Sequence, residues 1–226
     1  MEHHLPVART ARYQQLGEFS LATRQLWLVL HGYGQLAEYF IRHFAALHAA
    51  DPAGTVIVAP EALSRFYLHG TTGRVGASWM TRADRLADIE DQANYLSLLL
   101  ASLLAQCPSN TQVTVLGFSQ GTATASRWLT HCAGHWRPQH LILWAGDFPA
   151  DIEASRAKQA VQGLAVSVVC GDQDAYVSPA QLHEQATVLR RHGAQVATHS
   201  FAGGHALHPE LLHQLHADEA ASQPGG

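Results

Sequence analysis

An α/β architecture is the fold class that the sequence predicts: a mostly parallel central sheet with helices on both faces and no large cap domain. Three observations predict it. Short apolar runs recur along the chain (QLWLVL at 25–30, TVIVA at 55–59, QVTVLG at 112–117, HLILW at 140–144, AVSVVC at 165–170), and near-continuous apolarity marks strands buried on both faces. Stretches with apolar residues at helical spacing separate these runs, and alternating β and α units imply parallel strands joined by helical crossovers. The 226 residues are 47% hydrophobic and 14% charged, enough to bury a large core, so residues 1–226 read as one domain.

Taken in order, Tyr13–Phe19 reads as an edge strand and Gln25–Leu30 as a buried strand. Leu36–Ala49 (LAEYFIRHFAALHA) reads as a helix, and Thr55–Ala59 as a short strand stopped by Pro60. Glu61–Thr81 is rich in Gly, aromatics and Arg, has no clear period and reads as a long functional loop. Arg82–Gln106 reads as a long helix with Asp84, Asp88, Glu90 and Asp91 in its early turns, where the helix dipole favours anions. Next come a strand at Gln112–Gly117, a helix from Gln120 to about Cys132, a strand at His140–Trp144, a helix near Ile152–Val161 and a strand at Ala165–Cys170. A helix at Pro179–Arg191, a strand at Gln195–Phe201 and a helix at Pro209–Ala217 follow, then a frayed polar tail from about Asp218.

The net charge is −4, and no basic stripe is available to neutralise phosphates, which argues against nucleic acid as a partner. The start MEHHLPVART lacks an apolar leader core, and no apolar run reaches the length of a membrane span. The cysteines, Cys107, Cys132 and Cys170, are odd in number and match no zinc or redox spacing. A cytoplasmic protein acting on a small molecule, with a homodimer left open, is the expectation.

Ligands of such sheets sit beyond the carboxyl ends of the strands, so chemistry is sought there. After QVTVL the chain reads Gly117-Phe118-Ser119-Gln120-Gly121, a G-x-S-x-G between a strand and a helix. Glycines are needed because a nucleophile on so tight a turn has strained dihedrals and close backbone neighbours. Alone the motif is weak; its strand–helix context strengthens it. A serine hydroxyl needs a base oriented by an acid. After AVSVV come Cys170-Gly171-Asp172-Gln173-Asp174, and after the last strand Gly203-Gly204-His205. The order Ser, acid, His is met by Ser119, Asp174 and His205, with Asp172 and Asp147 as competing acids. Asp172 otherwise reads as a turn-stabilising residue. Gly203 and Gly204 are expected to let the loop bend sharply around His205. The pair His213-x-x-His216 lacks a third ligand and reads as surface or supporting residues rather than a metal site. No cofactor or metal is expected. After LWLVL, His31-Gly32-Tyr33-Gly34 offers a second backbone donor for an acyl-transfer oxyanion, so the amides of Tyr33 and Gln120 are the expected oxyanion hole.

Together, H-G-Y-G, G-F-S-Q-G, G-D-Q-D and G-G-H at four strand ends resemble the phospholipase/carboxylesterase family of small α/β hydrolases, over about residues 24–215. The resemblance implies the α/β-hydrolase fold and a cofactor-free serine esterase with the triad Ser119, Asp174 and His205. Arg74–Trp79 (RVGASW) departs from the acyl-protein thioesterase pattern and looks more like a bacterial branch. The expected reaction is hydrolysis of carboxylic esters through an acyl-enzyme on Ser119. Thioester or dienelactone cleavage on the same fold is the alternative within enzymes. A non-catalytic binding protein would be expected to show a broken triad. Phe66, Tyr67, Trp79 and Phe148 are the expected substrate-binding residues; for Arg65, Arg74 and Arg82 two readings stand side by side, holding an anionic group or lying on a solvated loop.

Overall fold

A computed structural model describes residue 1 and residues 3–221 of the chain. Seven strands form one sheet in the order β1-β3-β2-β6-β7-β8-β9. They are β1 (Tyr13–Leu16), β2 (Gln25–Leu30), β3 (Thr55–Pro60), β6 (Gln112–Phe118), β7 (His140–Trp144), β8 (Ala165–Gly171) and β9 (Gln195–Phe201). All neighbours pair in parallel except β1, which lies antiparallel to β3 at the edge. Along β2, Leu26, Leu28 and Leu30 join one buried cluster, while Trp27 and Val29 join the other, which is the period-two alternation of a strand covered on both faces.

On the first face lie α3 (Arg85–Leu104), α4 (Gln120–His131), α5 (Ala154–Val161) and α6 (Pro179–Arg191). On the second lie α1 (Ala37–Phe40), α2 (Ala45–Ala50) and α7 (Pro209–Ala221). No described helix is long and apolar enough to cross a membrane.

Three segments differ from the sequence expectation. The helix expected over Leu36–Ala49 is broken: a 3-10 turn, Ile41–Phe44, separates α1 from α2. Ile41, Phe44 and Leu47 are all buried, and their spacing of three suits the tighter turn, which stacks positions i and i+3 on one face. The loop expected over Glu61–Thr81 contains a hairpin, β4 (Ser64–Tyr67) against β5 (Val75–Ser78), turned through Gly70 and Gly73 at positive φ. The tail expected to fray from Asp218 is helical through Ala221, and residues 222–226 lie outside the described residues.

Long-range polar contacts hold the helical end in place. Glu219 accepts hydrogen bonds from His140 Nδ1 (2.5 Å) and Thr114 Oγ1 (2.8 Å). His216, expected at the surface or in support of a site, is buried instead: it packs on Trp27 at 5.7 Å and bonds Thr55 Oγ1 at 3.1 Å.

Glu61, at the start of the hairpin segment, is a buried carboxylate. Arg12 Nε and Nη2 donate to its two oxygens at 2.5 and 2.9 Å, and the Ala37 amide donates to Oε2 at 3.3 Å. Its side chain is only 2% exposed, so removing Arg12 strands a charge in a poorly hydrated place. Arg12→Ala is expected to destabilise the fold by about 3 kcal/mol, read as a lower urea midpoint. A change under about 1 kcal/mol, the range of exposed pairs, would show that the pair is screened.

Candidate active site

Six parallel strands end on one rim, and the residues that follow β2, β6, β8 and β9 build the site. Ser119 follows β6 and caps α4 with φ 53° and ψ −118°, a region that L-residues avoid and that strained functional turns occupy. The neighbouring glycines are required by contact. A Cβ on Gly117 would stand 2.4 Å from Gly121 O, and one on Gly121 would stand 2.3 Å from Leu30 O. The turn is tied down at Ser119, whose amide donates to Trp144 O (2.8 Å) and whose carbonyl accepts from Thr122 N and Oγ1.

Asp174, in the loop after β8, has a fully buried side chain. Its Oδ1 accepts from the amides of Tyr176 (2.8 Å) and Val177 (3.1 Å). His205 Nδ1 lies 2.8 Å from Oδ2 and 3.1 Å from Oδ1. With the carboxylate accepting, Nδ1 carries the hydrogen and Nε2 keeps its lone pair. Neither competing acid bonds His205 among the described residues. Asp172 Oδ1 accepts from the Gly203 amide at 2.9 Å, knitting the loops after β8 and β9. The pKa of the Asp147 carboxyl is pushed up by burial and then by the charge of Glu184. Gly203 and Gly204 have no positive φ; the close approach is at Gly171, where a Cβ would meet Gly203 O at 2.2 Å.

His205 is held against the elbow by aromatic rings. Phe118 packs on the imidazole at 5.0 Å, and Tyr176, 75% exposed, meets it edge-on at 4.7 Å. The Trp144 indole donates to Ala206 O at 2.9 Å, while the Trp144 carbonyl accepts from Ser119. One buried tryptophan thus links the elbow to the loop of His205. Ser119 Oγ makes no hydrogen bond among the described residues, as is common where substrate has yet to close a site.

The His31–Gln35 loop leans on the elbow: a Cβ on Gly32 would lie 3.2 Å from Ser119 Cβ. Three of its amides are committed. Gly32 N donates to Gln35 Oε1 (2.8 Å), Gly34 N to Ala77 O (2.9 Å) and Gln35 N to Gly32 O (3.2 Å). The Tyr33 amide between them makes no hydrogen bond among the described residues. Gln120 N, the first amide of α4, has no acceptor within the helix.

His31 braces this loop from below. Its Nδ1 bonds Gly32 O at 2.8 Å and its Nε2 accepts from the Ala62 amide at 3.1 Å, so the ring is neutral. Burial lowers its pKa from 6.5 to about 4. Between those values the unfolded chain binds a proton here and the folded chain does not. Stability therefore falls as pH drops through that window, by up to about 3 kcal/mol. His199 and His216, also lowered chiefly by burial, add to the same limb. His31→Gln is expected to flatten urea-measured stability between those pH values by about one bound proton; an unchanged slope would clear His31 as its source.

The expected substrate-binding residues separate into two groups. Trp79 and Phe148 are 1% and 3% exposed, so both lie beneath the surface, Trp79 against a small cavity that Met80, Thr124 and Arg127 also line. Trp79 serves the loop instead, its indole donating to His31 O at 2.8 Å. Phe66 stacks on Tyr33 at 5.2 Å, and Tyr33 and Tyr67 are 59% and 49% exposed. Beside them, Arg74, Tyr39, Phe40 and His43 line an open cleft of about 740 Å³ that borders Gly34 and Gln35. Arg65 leans toward Glu61 at 3.9 Å. Trp144 and Tyr176 were not legible as site residues: each lies beside a candidate acid, but their ring and indole contacts with the His205 loop depend on tertiary packing.

A seven-stranded sheet with a strained serine elbow and a carboxylate–imidazole pair at its carboxyl rim defines an α/β hydrolase. The model of the phospholipase/carboxylesterase family matches residues 17–217, and the chain belongs to that family. Among solved structures it is similar to esterase PE8, with 24% identity, TM-score 0.71 and coverage of 94% of this chain and 99% of that one. It is also similar to acyl-protein thioesterase 2 of Zea mays (19%, TM-score 0.66, covering 94% and 99%) and to a phospholipase/carboxylesterase of Dyadobacter fermentans DSM 18053 (18%, TM-score 0.64, covering 94% and 99%). At these identities the likeness carries the fold. No curated protein matches the sequence.

Proposed function

We propose that the protein hydrolyses small carboxylic esters through an acyl-enzyme on Ser119. The observation that carries the reading is the paired geometry of Asp174 and His205, with an Nε2 lone pair on the rim where the strained turn raises Ser119. His205 Nε2 takes the Ser119 proton as Oγ attacks the ester carbonyl, and the carbonyl π pair moves onto oxygen. The amides of Tyr33 and Gln120 stabilise that oxyanion. Asp174 keeps the imidazole oriented and stabilises its cation. The C–O bond to the leaving alcohol then breaks, and Nε2 returns the proton to that alcohol. Water, deprotonated by the same nitrogen, cleaves the acyl-enzyme by the reverse sequence.

Tyr33, Phe66 and Tyr67 offer an aromatic surface beside the elbow for an apolar or aryl part of the substrate. The tests are turnover of p-nitrophenyl esters of C2 to C12 acids and labelling by a fluorophosphonate. Turnover with label on Ser119 alone is expected. Absence of turnover across the series, or label on another residue, would reject the assignment.

A further inference from the structure

We infer that the side chain of Gln120 is a positioning residue that sets the spacing between the two oxyanion amides, using strand β5 as a shared reference. The inference rests on the proposed esterase mechanism and concerns a part of Gln120 which that mechanism leaves idle: the backbone amide faces the oxyanion, and the side chain touches no reacting atom.

The side chain behaves like a length of neighbouring strand. Its Oε1 accepts from Trp79 N at 3.1 Å, and its Nε2 donates to Met80 O at 2.9 Å and to Ser78 Oγ at 3.2 Å. Ser78 Oγ in turn donates to Met80 O at 2.9 Å. The primary amide thus reads one N–H and one C=O of the chain just past β5, as a paired strand would.

The other oxyanion donor is fastened to the same few residues. Gly34 N donates to Ala77 O at 2.9 Å and Ala77 N to Gln35 O at 3.1 Å, a reciprocal pair on the two residues just after Tyr33. The fit leaves no slack, since a Cβ on Gly76 would stand 2.5 Å from Gly34 O. The Trp79 indole adds the bond to His31 O, with the two rings 4.9 Å apart. Residues 77–80 therefore grip the Tyr33 loop on one side and the head of α4 on the other. The hairpin is short and carries an exposed tip, yet its inner strand is buried from Gly76 to Trp79. That contrast suits an element whose task is positional. Oxyanion donors act only within a few tenths of an ångström of their place, and two donors on separate strand ends need a common support.

Gln120→Met keeps the backbone amide and the side-chain length and deletes every side-chain hydrogen bond to residues 78–80. Loss of position rather than loss of a donor is expected to lower kcat/KM on p-nitrophenyl butyrate by about 10- to 100-fold. The discriminating probe is an alkyl trifluoromethyl ketone. Ser119 Oγ adds to its carbonyl carbon, the proton passes to His205 Nε2, and the hemiketal oxygen carries the negative charge. If the side chain positions the amides, the ketone's inhibition constant rises by the same factor as kcat/KM falls. Active sites are counted by fluorophosphonate titration, so a partly unfolded preparation does not imitate the effect. Ser78→Ala, which removes the Ser78 hydroxyl's bonds to Gln120 and Met80 O but leaves Gln120 bonded to Trp79 N and Met80 O, is expected to shift both quantities in parallel by a smaller factor.

Parallel shifts support the inference. Unchanged constants, or a fall in kcat/KM with the ketone affinity retained, in either variant would overturn it while leaving the esterase mechanism standing. Full turnover by Ser119→Ala, run alongside, would instead remove the mechanism itself.

Discussion

Replacing Ser119 with alanine is expected to reduce kcat on p-nitrophenyl esters by about 10⁶-fold, because nucleophile, base and acid act as one unit. The substitution is well suited to a clean reading. Alanine also carries a Cβ, so the φ of 53° at this position costs nearly the same in both proteins, and the amide bond from residue 119 to Trp144 O is untouched. The variant should keep its unfolding midpoint and lose its reaction with fluorophosphonate. The residual rate, above water alone, would come from the oxyanion amides and substrate positioning. A variant that still turns over esters at more than about a thousandth of the parent rate would place the nucleophile elsewhere.

The second large effect is expected from Asp174→Asn. The carboxylate does two things at once: Oδ1 accepts from the amides of Tyr176 and Val177, and both oxygens face His205 Nδ1. An asparagine that keeps its oxygen on those two amides must turn its Nδ2 hydrogens toward Nδ1. Nδ1 then has to accept, the ring hydrogen moves to Nε2, and the nitrogen meant to take the serine proton becomes a donor. The loss in kcat is expected to be about 10⁴-fold, with the loop after β8 still held by the hydrogen bonds of Asp172 and Gln173 to and from residue 203. Asp172→Asn, by contrast, should cost far less, since its oxygen can still accept from Gly203. If the two variants lost activity equally, the acid would have been assigned to the wrong carboxylate.

Much of the architecture was legible because local pattern and tertiary role agree. The strand at Gln195–Phe201 and the helix at Pro179–Arg191 have the bounds expected from sequence, the latter announced by Ser178, Pro179 and Gln181, which form a capping box with proline at the first position. The serine turn was legible for the same reason: its glycines answer a local steric demand. The hairpin β4–β5 was not. Each strand has only four residues, Ser64–Tyr67 alternates burial with charged and aromatic side chains, and the buried face of β5 is written in Gly, Ala and Ser, which carry little strand signal. Trp79 read as a pocket residue because an aromatic in a functional loop suits a wall, whereas its indole finds a carbonyl forty-eight residues away. The final turn of α7 was missed because it is held by Thr114 and His140, contacts that no window along the chain contains.

In the proposed mechanism the Ser119 hydroxyl, the His205 imidazole and the amides of Tyr33 and Gln120 converge on a single reacting carbon. A crystal structure of the protein after reaction with a fluorophosphonate tests it most directly. Phosphorus bonded to Ser119 Oγ is expected, with its oxygen within hydrogen-bond distance of the Tyr33 and Gln120 amides and His205 Nε2 within reach of the serine oxygen. An adduct whose oxygen faces solvent, with the imidazole still remote from residue 119, would contradict it.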